Sequence, residues 1–370
     1  MARRLRIVHT EWSNGWGGQE IRILEEARAM AERGHWVGIC GVPEGQMAQR
    51  APQAGIEFFP LPMAGAWDLR AAAGMWKLLR RVGADILHTH SSVDSWLGGM
   101  VARAAGVACV RTRHLSVPVS TKPWNIVYRL PHMVITTGEG IRRHLVEDYG
   151  LAPERVVSIP TGVDTIRFCP RPRDENLARE LGISPGEKVV GIVAVLRSWK
   201  RHDLFCEMAR QLLERMKGLR FLIVGGGPGW ERVNRYLDDM GLRPWVIMTG
   251  HREDVERIIP LMDVGVLASD KAEGVPQAAL QYMACAKPVV ASAAGDIPQV
   301  VRHELTGLLV RPGDAGALAE AVQRLLEDEA LAARLAEQGR RLVEQEFSRQ
   351  KMVEQTERVY EKALREARGA

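Results

Sequence analysis

Residues 273–292 read Glu-Gly-Val-Pro-Gln-Ala-Ala-Leu-Gln-Tyr-Met-Ala-Cys-Ala-Lys-Pro-Val-Val-Ala-Ser. This pattern is a loop, a short helix and a buried strand. Pro276 suits the first helical position, where a missing N–H costs nothing. Gln277 to Ala286 are mostly good helix formers, and Lys287-Pro288 ends the helix. Val289 to Ala291 is short, apolar and rich in β-branched residues, as an interior parallel strand should be. The helix start at Val275, Pro276 and Gln277, whose N–H groups come from Val275 and Gln277 since Pro276 has none, can receive an anion. Glu273, just before them, can accept hydrogen bonds from hydroxyls. A carboxylate beside an anion-binding helix start suits a ligand carrying both phosphate and sugar.

The stretch resembles the signature of retaining glycosyltransferases of the GT-B fold, in the large family four. That signature has a Glu, seven residues, a second Glu, an Ala-Met-Ala-like turn and a Lys-Pro-Val-Val strand. Glu273 takes the first position and Gln281 stands at the second. The resemblance implies that Glu273 contacts the transferred sugar and that Gln281 reaches the nucleotide ribose. A neutral amide binds a hydroxyl less strongly than a carboxylate does. The implied fold class is α/β: two Rossmann-like domains facing across a cleft, with a C-terminal helix crossing back to the first.

Upstream, Lys188 to Leu196 reads as an apolar strand leading into Arg197-Ser-Trp-Lys-Arg-His202. Cations at a strand's C-terminal end are well placed for a diphosphate. The family usually has Gly-Arg-Leu, three residues, then Lys-Gly. Lys200 matches the Lys, Val195 stands where the Arg is usual, and Arg197 is the substitute cation. Phe221 to Gly229 is a strand feeding a glycine-rich turn. Its spacing is not that of a dinucleotide loop. It resembles the family's Val-Gly-x-Gly-Pro turn, in which Gly226 and Gly227 allow backbone approach by the donor. His251, Arg252 and Asp254 are candidates for lining the base.

In the N-terminal half, Arg6 to Thr10 reads as a first strand, followed by a glycine-bearing loop and a helix from about Gln19 to Arg33. Glycines in that loop let a ligand approach the backbone. Gly17-Gly18-Gln19-Glu20 matches the family's Gly-Gly-x-Glu element, which faces the donor. Asp85 to His90 is a strand with His88 and His90 on one face. A His-x-His pair raises the question of a metal, but no carboxylate or Cys pattern completes a site. The family has the same strand. His114 follows another short strand, at a position where the family commonly has a His near the acceptor. Arg111 and Arg113 beside it suit an anionic acceptor, and His90 joins them as an acceptor-side residue. The segment 115–131 holds Pro118, Lys122, Pro123, Trp124, Tyr128 and Arg129, and reads as a lipid-facing element. Trp67 to Val82 reads as a basic amphipathic helix. Packing of that helix on the sheet is the plainer reading, and membrane contact the other.

The 370 residues exceed one typical core and imply two domains. Val156 to Phe168 resembles the family's crossing segment, and Pro170-Arg-Pro-Arg continues as a linker. The expected domains are 1–170 on the acceptor side, 171–346 for the nucleotide sugar, and 347–370 as the returning helix. The last stretch carries an apolar stripe of Met352, Thr356, Val359, Tyr360 and Ala363. Residues 1–170 contain 20 Lys and Arg against 15 Asp and Glu, so the net charge of +5 sits in that half. A basic half suits an anionic partner such as a phosphorylated lipid or membrane surface. Nucleic acid is not expected, because no basic run is interleaved with stacking aromatics. The N-terminus lacks a signal-peptide pattern and no apolar run reaches membrane-spanning length. Five scattered cysteines fit a reducing cytoplasm. The expected location is therefore cytoplasmic, with peripheral attachment at the inner membrane.

The expected activity is metal-independent, retaining transfer from a nucleotide-sugar donor to a glycan or lipid-linked acceptor, in lipopolysaccharide or other envelope polysaccharide synthesis. No Asp-x-Asp triplet is present to hold a metal. Glu273, Lys200, Arg197 and His114 are the expected catalytic residues, and no cofactor is expected beyond the donor itself. A nucleotide-sugar epimerase of the same architecture is one alternative. A non-catalytic nucleotide-sugar-binding protein is another, favoured by Gln281 and Val195.

Overall fold

The computed structural model describes residues 3–114, 125–270 and 274–369. Glu273, and the 115–124 part of the expected lipid-facing segment, lie outside the described residues. The chain forms two compact units. The first runs through Thr161 and resumes at Arg349; the second is Gly162–Ser348.

The first unit contains β1 (Arg6–Glu11), α1 (Gly18–Glu32), β2 (Trp36–Gly41), α2 (Gln46–Gln53), β3 (Glu57–Pro60), α3 (Leu69–Val82) and β4 (Ile86–Thr89). It continues through α4 (Ser92–Ala105), β5 (Ala108–Arg113), β6 (Met133–Thr136), α5 (Glu139–Glu147) and β7 (Val156–Ser158). Its parallel sheet has the order β3-β2-β1-β4-β5-β6-β7. Alternation along each strand divides the core between two faces. Ile7, Ile39, Ile86 and Val110 pack with Ile23, Ala27 and Met30 of α1. Val8, Cys40, Leu87 and Cys109 pack on the other face with Met75 and Leu79 of α3 and Leu97 of α4.

The second unit contains α6 (Glu175–Glu180), β8 (Lys188–Val193), α7 (His202–Arg215), β9 (Leu219–Val224), α8 (Trp230–Asp239), β10 (Val246–Gly250) and α9 (Val255–Ile258). It then adds β11 (Val264–Leu267), α10 (Gln277–Ala284), β12 (Val289–Ser292), β13 (Leu308–Val310), α11 (Ala315–Glu327) and α12 (Glu329–Glu346). Its parallel sheet runs β10-β9-β8-β11-β12-β13. Both sheets reverse their winding beside their first strand, between β1 and β4 and between β8 and β11. Such reversal points are where open α/β sheets bind ligands.

The sequence reading placed the first boundary near 170, whereas the first unit ends at Thr161. Val163 N donates to Phe347 O at 2.9 Å, and Phe168 is buried in the second core. Residues 162–168 and 347–348 therefore belong with the second unit. The final helix, α13 (Arg349–Gly369), packs in the first unit. It buries Met352, Val353, Thr356, Val359, Tyr360 and Ala363. Glu357 receives Arg33 Nε and Nη2 at 2.8 and 2.7 Å, with His35 Nε2 at 2.8 Å.

Three local expectations change. Pro276 is the N-cap of α10 rather than its first helical residue. The strand expected to reach Leu196 ends at Val193, where the chain turns toward the glycine-rich loop. The helical stretch 315–345 is two helices broken at Asp328, whose carboxylate caps the second by accepting from Leu331 N at 2.8 Å.

Candidate active site

In the first unit, parallel register brings the C-terminal ends of β1, β4 and β5 together. His9 lies opposite His88 and His88 opposite Val110. His9 Nδ1 lies 3.0 Å from His90 Nε2, and His90 Nδ1 lies 3.1 Å from His114 Nε2. Each contact holds one proton, so the three rings form a directed row of imidazoles. Burial is the main cause that lowers the His9 pKa to about 3. Burial also lowers His90 and His114 well below the ordinary value, and all three are neutral near pH 7.

Behind them lies a buried charged group. Arg22 Nη1 donates to Ile159 O at 2.8 Å and Thr161 Oγ1 at 3.1 Å, and Arg22 Nε lies 3.6 Å from Glu26 Oε2. Tyr360 OH donates to Glu26 Oε1 at 3.2 Å. Its oxygen then accepts from His88 Nδ1–H at 2.7 Å, leaving His88 Nε2 to accept from Thr112 Oγ1 at 2.7 Å. That assignment follows from the donors available. Burial opposes ionisation of Glu26, but His88 and Arg22 hold its pKa well below the carboxylate range.

Among the described residues, His9, His88 and His90 form a group whose potential ligand atoms lie within 4.8 Å of one another. The nitrogens of His88 are taken by Tyr360 and Thr112, and those of His90 by His9 and His114. The set is organised for hydrogen bonding, with His9 Nε2 the one imidazole nitrogen of the three that lacks a hydrogen-bond partner.

Two acceptor-side expectations are corrected. His90 is 3 % exposed and holds His114 rather than facing a ligand. Arg111 is 2 % exposed, with its guanidinium 3.9 Å from the Tyr128 ring centroid and donating to Val127 O at 3.3 Å. It anchors residues 127–128. Arg113 and His114 are half-buried at the strand end. Gly17 has extended backbone, which any residue adopts, and donates its N–H to Glu20 Oε2 at 2.8 Å. A Cβ on Gly18 would meet open space.

Sequence reading missed Glu11, which lies within reach of the Asp94 charge at the same sheet reversal. Asp94 accepts from Thr10 Oγ1 at 2.6 Å and from the N–H groups of His90 and Ser91 at 3.0 and 2.9 Å. Glu11 accepts from Ser13 N at 2.7 Å and Gln19 Nε2 at 2.6 Å. Burial and the Asp94 charge push the Glu11 pKa up to about 8. The available signal was a pair of polar residues, His9 and Glu11, within an interior strand.

In the second unit, the loop after β8 meets the loop after β11. Arg201 Nη1 donates to Asp270 Oδ2 at 2.6 Å, and Asp270 N donates to Trp199 O at 3.2 Å. Arg201 holds Asp203 as well, with Nη2 at 2.8 Å from Oδ2. Lys200, on this braced loop, is half-buried, while Arg197 is exposed with its guanidinium 5.2 Å from the Trp199 ring centroid. A cavity of 470 Å³ beside them is lined by Leu196, Arg197, Trp199, Gly229 and Arg232 among others. Arg232 is a second cation that sequence reading missed. On α10, Gln277 and Gln281 are half-buried, and Val275 and Pro276 are buried.

Two glycines of the glycine-rich turn are required by the chain's own packing. A Cβ on Gly225, at φ +145°, would lie 2.0 Å from Ala194 O. Gly226 O accepts from Leu196 N at 2.9 Å, and a Cβ on Gly227 would lie 3.0 Å from Leu196 N. These glycines admit the protein's own 194–196 loop. Arg252 is paired with Asp254 at 2.8 and 2.7 Å, and His251 is exposed.

Comparison with known proteins gives these halves a family. Residues 16–167 match Glycosyltransferase Family 4, and residues 187–328 match Glycosyl transferases group 1. The chain is 29 % identical over 279 residues to the Escherichia coli UDP-Gal:alpha-D-GlcNAc-diphosphoundecaprenol alpha-1,3-galactosyltransferase, covering 71 % of this chain and 72 % of the relative. A glycosyltransferase structure from Rickettsia africae superposes with a TM-score of 0.88 at 20 % identity, covering 98 % of this chain and 99 % of that one. Anabaena HepE in complex with UDP-glucose gives 0.84 at 20 % identity, with 96 % and 99 % coverage. The two matched stretches, the two parallel sheets and the shared architecture agree: this chain belongs to the family four, group 1 glycosyltransferases of the GT-B fold.

Proposed function

We propose that the protein is a retaining, metal-independent transferase that moves a sugar from UDP to a lipid-linked glycan in envelope polysaccharide or lipopolysaccharide synthesis. The observation that carries the reading is in the second unit. The Arg197–Lys200 loop after β8 is tied by Arg201 and Asp270 to the loop that leads through Glu273 into α10. Cations and a helix start then sit on the two loops flanking the sheet reversal, where a diphosphate binds. The UDP-galactose donor and diphosphoundecaprenol acceptor of the Escherichia coli relative support the choice of UDP and of a lipid-linked acceptor. Among the described residues no helix is long and apolar enough to cross a membrane, so such an acceptor would be met from the membrane face.

In the proposed step, the acceptor hydroxyl attacks the anomeric carbon on the face from which UDP departs. The bond from that carbon to the phosphate oxygen breaks, the glycosidic bond forms, and the hydroxyl proton passes to the departing phosphate. Lys200, Arg197 and the N-terminus of α10 offset the charge that develops on UDP. Glu273 orients the sugar hydroxyls, Gln281 the ribose, and His114 the acceptor side. Arg232 is a further candidate for the diphosphate.

The test is transfer from radiolabelled UDP-sugars to undecaprenyl-diphosphate-linked GlcNAc, with the anomeric configuration of the product read by NMR. A new glycoside of retained configuration supports the reading, and an inverted product or a 2-epimer of the donor rejects it. Val195, 49 % exposed where the family has Arg, favours the second reading of a non-catalytic binder. That reading predicts UDP-sugar binding without turnover.

A further inference from the structure

We infer that the outward face of α3 is a docking surface for an anionic lipid bilayer. The sequence left two readings for this helix, packing and membrane contact, and opposite faces of the helix satisfy both. Ala71, Met75, Leu78 and Leu79 are buried against the sheet and α4. The apolar groups on the opposite face lie outside this core, Trp67 touching only the Trp96 ring among the described aromatic contacts, at 5.9 Å between centroids. Trp67, just before the helix, is 73 % exposed, Leu69 is 83 % and Trp76 is 44 %. They account for three of the ten large hydrophobic residues that the described chain exposes.

Between them stand Arg70, Lys77, Arg80 and Arg81, all exposed. Positions 69, 70, 73, 76, 77, 80 and 81 recur at helical spacing and form one continuous face. The nearby acid, Asp68, is engaged as the N-cap. Its carboxylate accepts from Arg70 N and Ala71 N at 3.0 Å each, and from Ala64 N at 3.1 Å. Indoles and a leucine set among four cations suit a surface with anionic headgroups above an apolar layer.

A cavity of 360 Å³ opens beside the same helix, at the sheet edge formed by β3. Cys40, Phe59, Leu61 and Leu78 give it an apolar lining, and Lys77 and Arg81 are its exposed cations. Arg81 lies 5.5 Å from the Phe59 ring centroid. One lipid can place its phosphate between these cations and its apolar start against the lining. Charge argues against a second copy of this chain as the occupant, because two such faces would oppose four cations to four. The surface deepens the proposed reading of a membrane-linked acceptor and rests on that reading for its purpose. Vesicle binding itself is read without any transfer reaction.

The experiment is co-sedimentation of the full chain with vesicles of phosphatidylcholine alone and with phosphatidylglycerol added to three in ten lipids. Two variants accompany it: Arg70→Gln/Lys77→Gln/Arg80→Gln/Arg81→Gln, and Trp67→Ser/Trp76→Ser. Melting temperature and UDP-induced thermal shift of each variant report folding and donor binding separately from vesicle binding. The expected result is binding that requires phosphatidylglycerol, weakens in high salt and falls about fivefold per cation removed. The Trp pair variant should also lose quenching of its fluorescence by brominated lipid. Equal binding to neutral vesicles, or anionic-vesicle binding unchanged in both variants, would overturn the inference. So would a dimer in solution that only the face variants dissociate.

Discussion

Nδ1 of His88 lies 2.7 Å from the hydroxyl of Tyr360, joining strand β4 to a helix 272 residues further along the chain. Both side chains are fully buried, and Glu26 and Arg22 complete the group with no exposed surface of their own. Replacing Tyr360 by Phe keeps the ring and removes the hydroxyl that serves both His88 and Glu26. A buried polar group left without its partner costs about 1–3 kcal/mol. Tyr360→Phe should lower the denaturation midpoint with the m-value unchanged, as measured by urea titration. A midpoint equal to wild type would show that water or another donor replaces the hydroxyl.

Acid should undo the same unit through its imidazoles. His9 is held neutral down to about pH 3, against an ordinary value of 6.5, and His90 and His114 are shifted in the same direction. Below pH 6.5 the unfolded chain gains protons that the folded rings refuse. The stability present above 6.5 is lost as pH falls toward 3, at up to about 1.4 kcal/mol per pH unit for each ring. Glu26 adds a loss of the same sign below 4.5. Melting temperature followed from pH 7 to 4 should fall steeply, and His9→Asn should flatten the slope by about one proton.

Glu11 has the opposite sign. Its pKa is raised from 4.5 to about 8, so the folded state favours the protonated acid. Its contribution is most favourable below 4.5 and is lost as pH rises to about 8. Glu11→Gln removes that loss while keeping the shape, and Gln19 can turn its amide to suit the new neighbour. Calorimetry should give nearly equal melting temperatures at pH 5 and a variant more stable by about 3–6 °C at pH 8.5. A variant less stable at both pH values would mean that the charged carboxylate is required.

For the proposed transfer, Lys200→Ala should lower kcat/KM by about 100-fold or more, the scale for losing one group that stabilises transition-state charge. Gln281→Glu restores the family carboxylate opposite the ribose. It should tighten UDP binding about fivefold, the difference between a neutral and a charge-assisted hydrogen bond. Isothermal titration of UDP checks the second outcome separately from the first. Unchanged UDP affinity would place Gln281 away from the ribose.

Short, largely apolar strands and glycine punctuation made both sheets legible, because interior parallel strands bury both of their faces. Residues 289–291 and 86–89 show this directly, as every side chain in both runs is buried. The roles of polar residues inside such strands were less legible. His90 reads as a ligand contact and is a brace for His114; Arg111 reads as an acceptor clamp and supports Tyr128. A side chain's task there is set by which neighbouring strand it faces, and strand order is not local in sequence. The need for glycine at 225 was hidden for a related reason. Only the sheet brings Ala194 against it, 31 positions earlier in the chain.

The placement of α13 also dictates the order in which this protein can mature. Synthesis proceeds from the N-terminus, and domains generally fold as they emerge from the ribosome. The first unit cannot complete itself in that way. Until the codons for α13 are translated, Glu26 and His88 lack Tyr360, and Ile23 and Met30 lack part of the apolar cover that α13 brings. The second unit, continuous from Gly162 to Ser348, has no such debt to the end of the chain. A nascent protein therefore passes through a stage with its later half finished and its earlier half open. A message truncated just before Arg349 yields that half-closed species permanently, a natural client for chaperones and proteases.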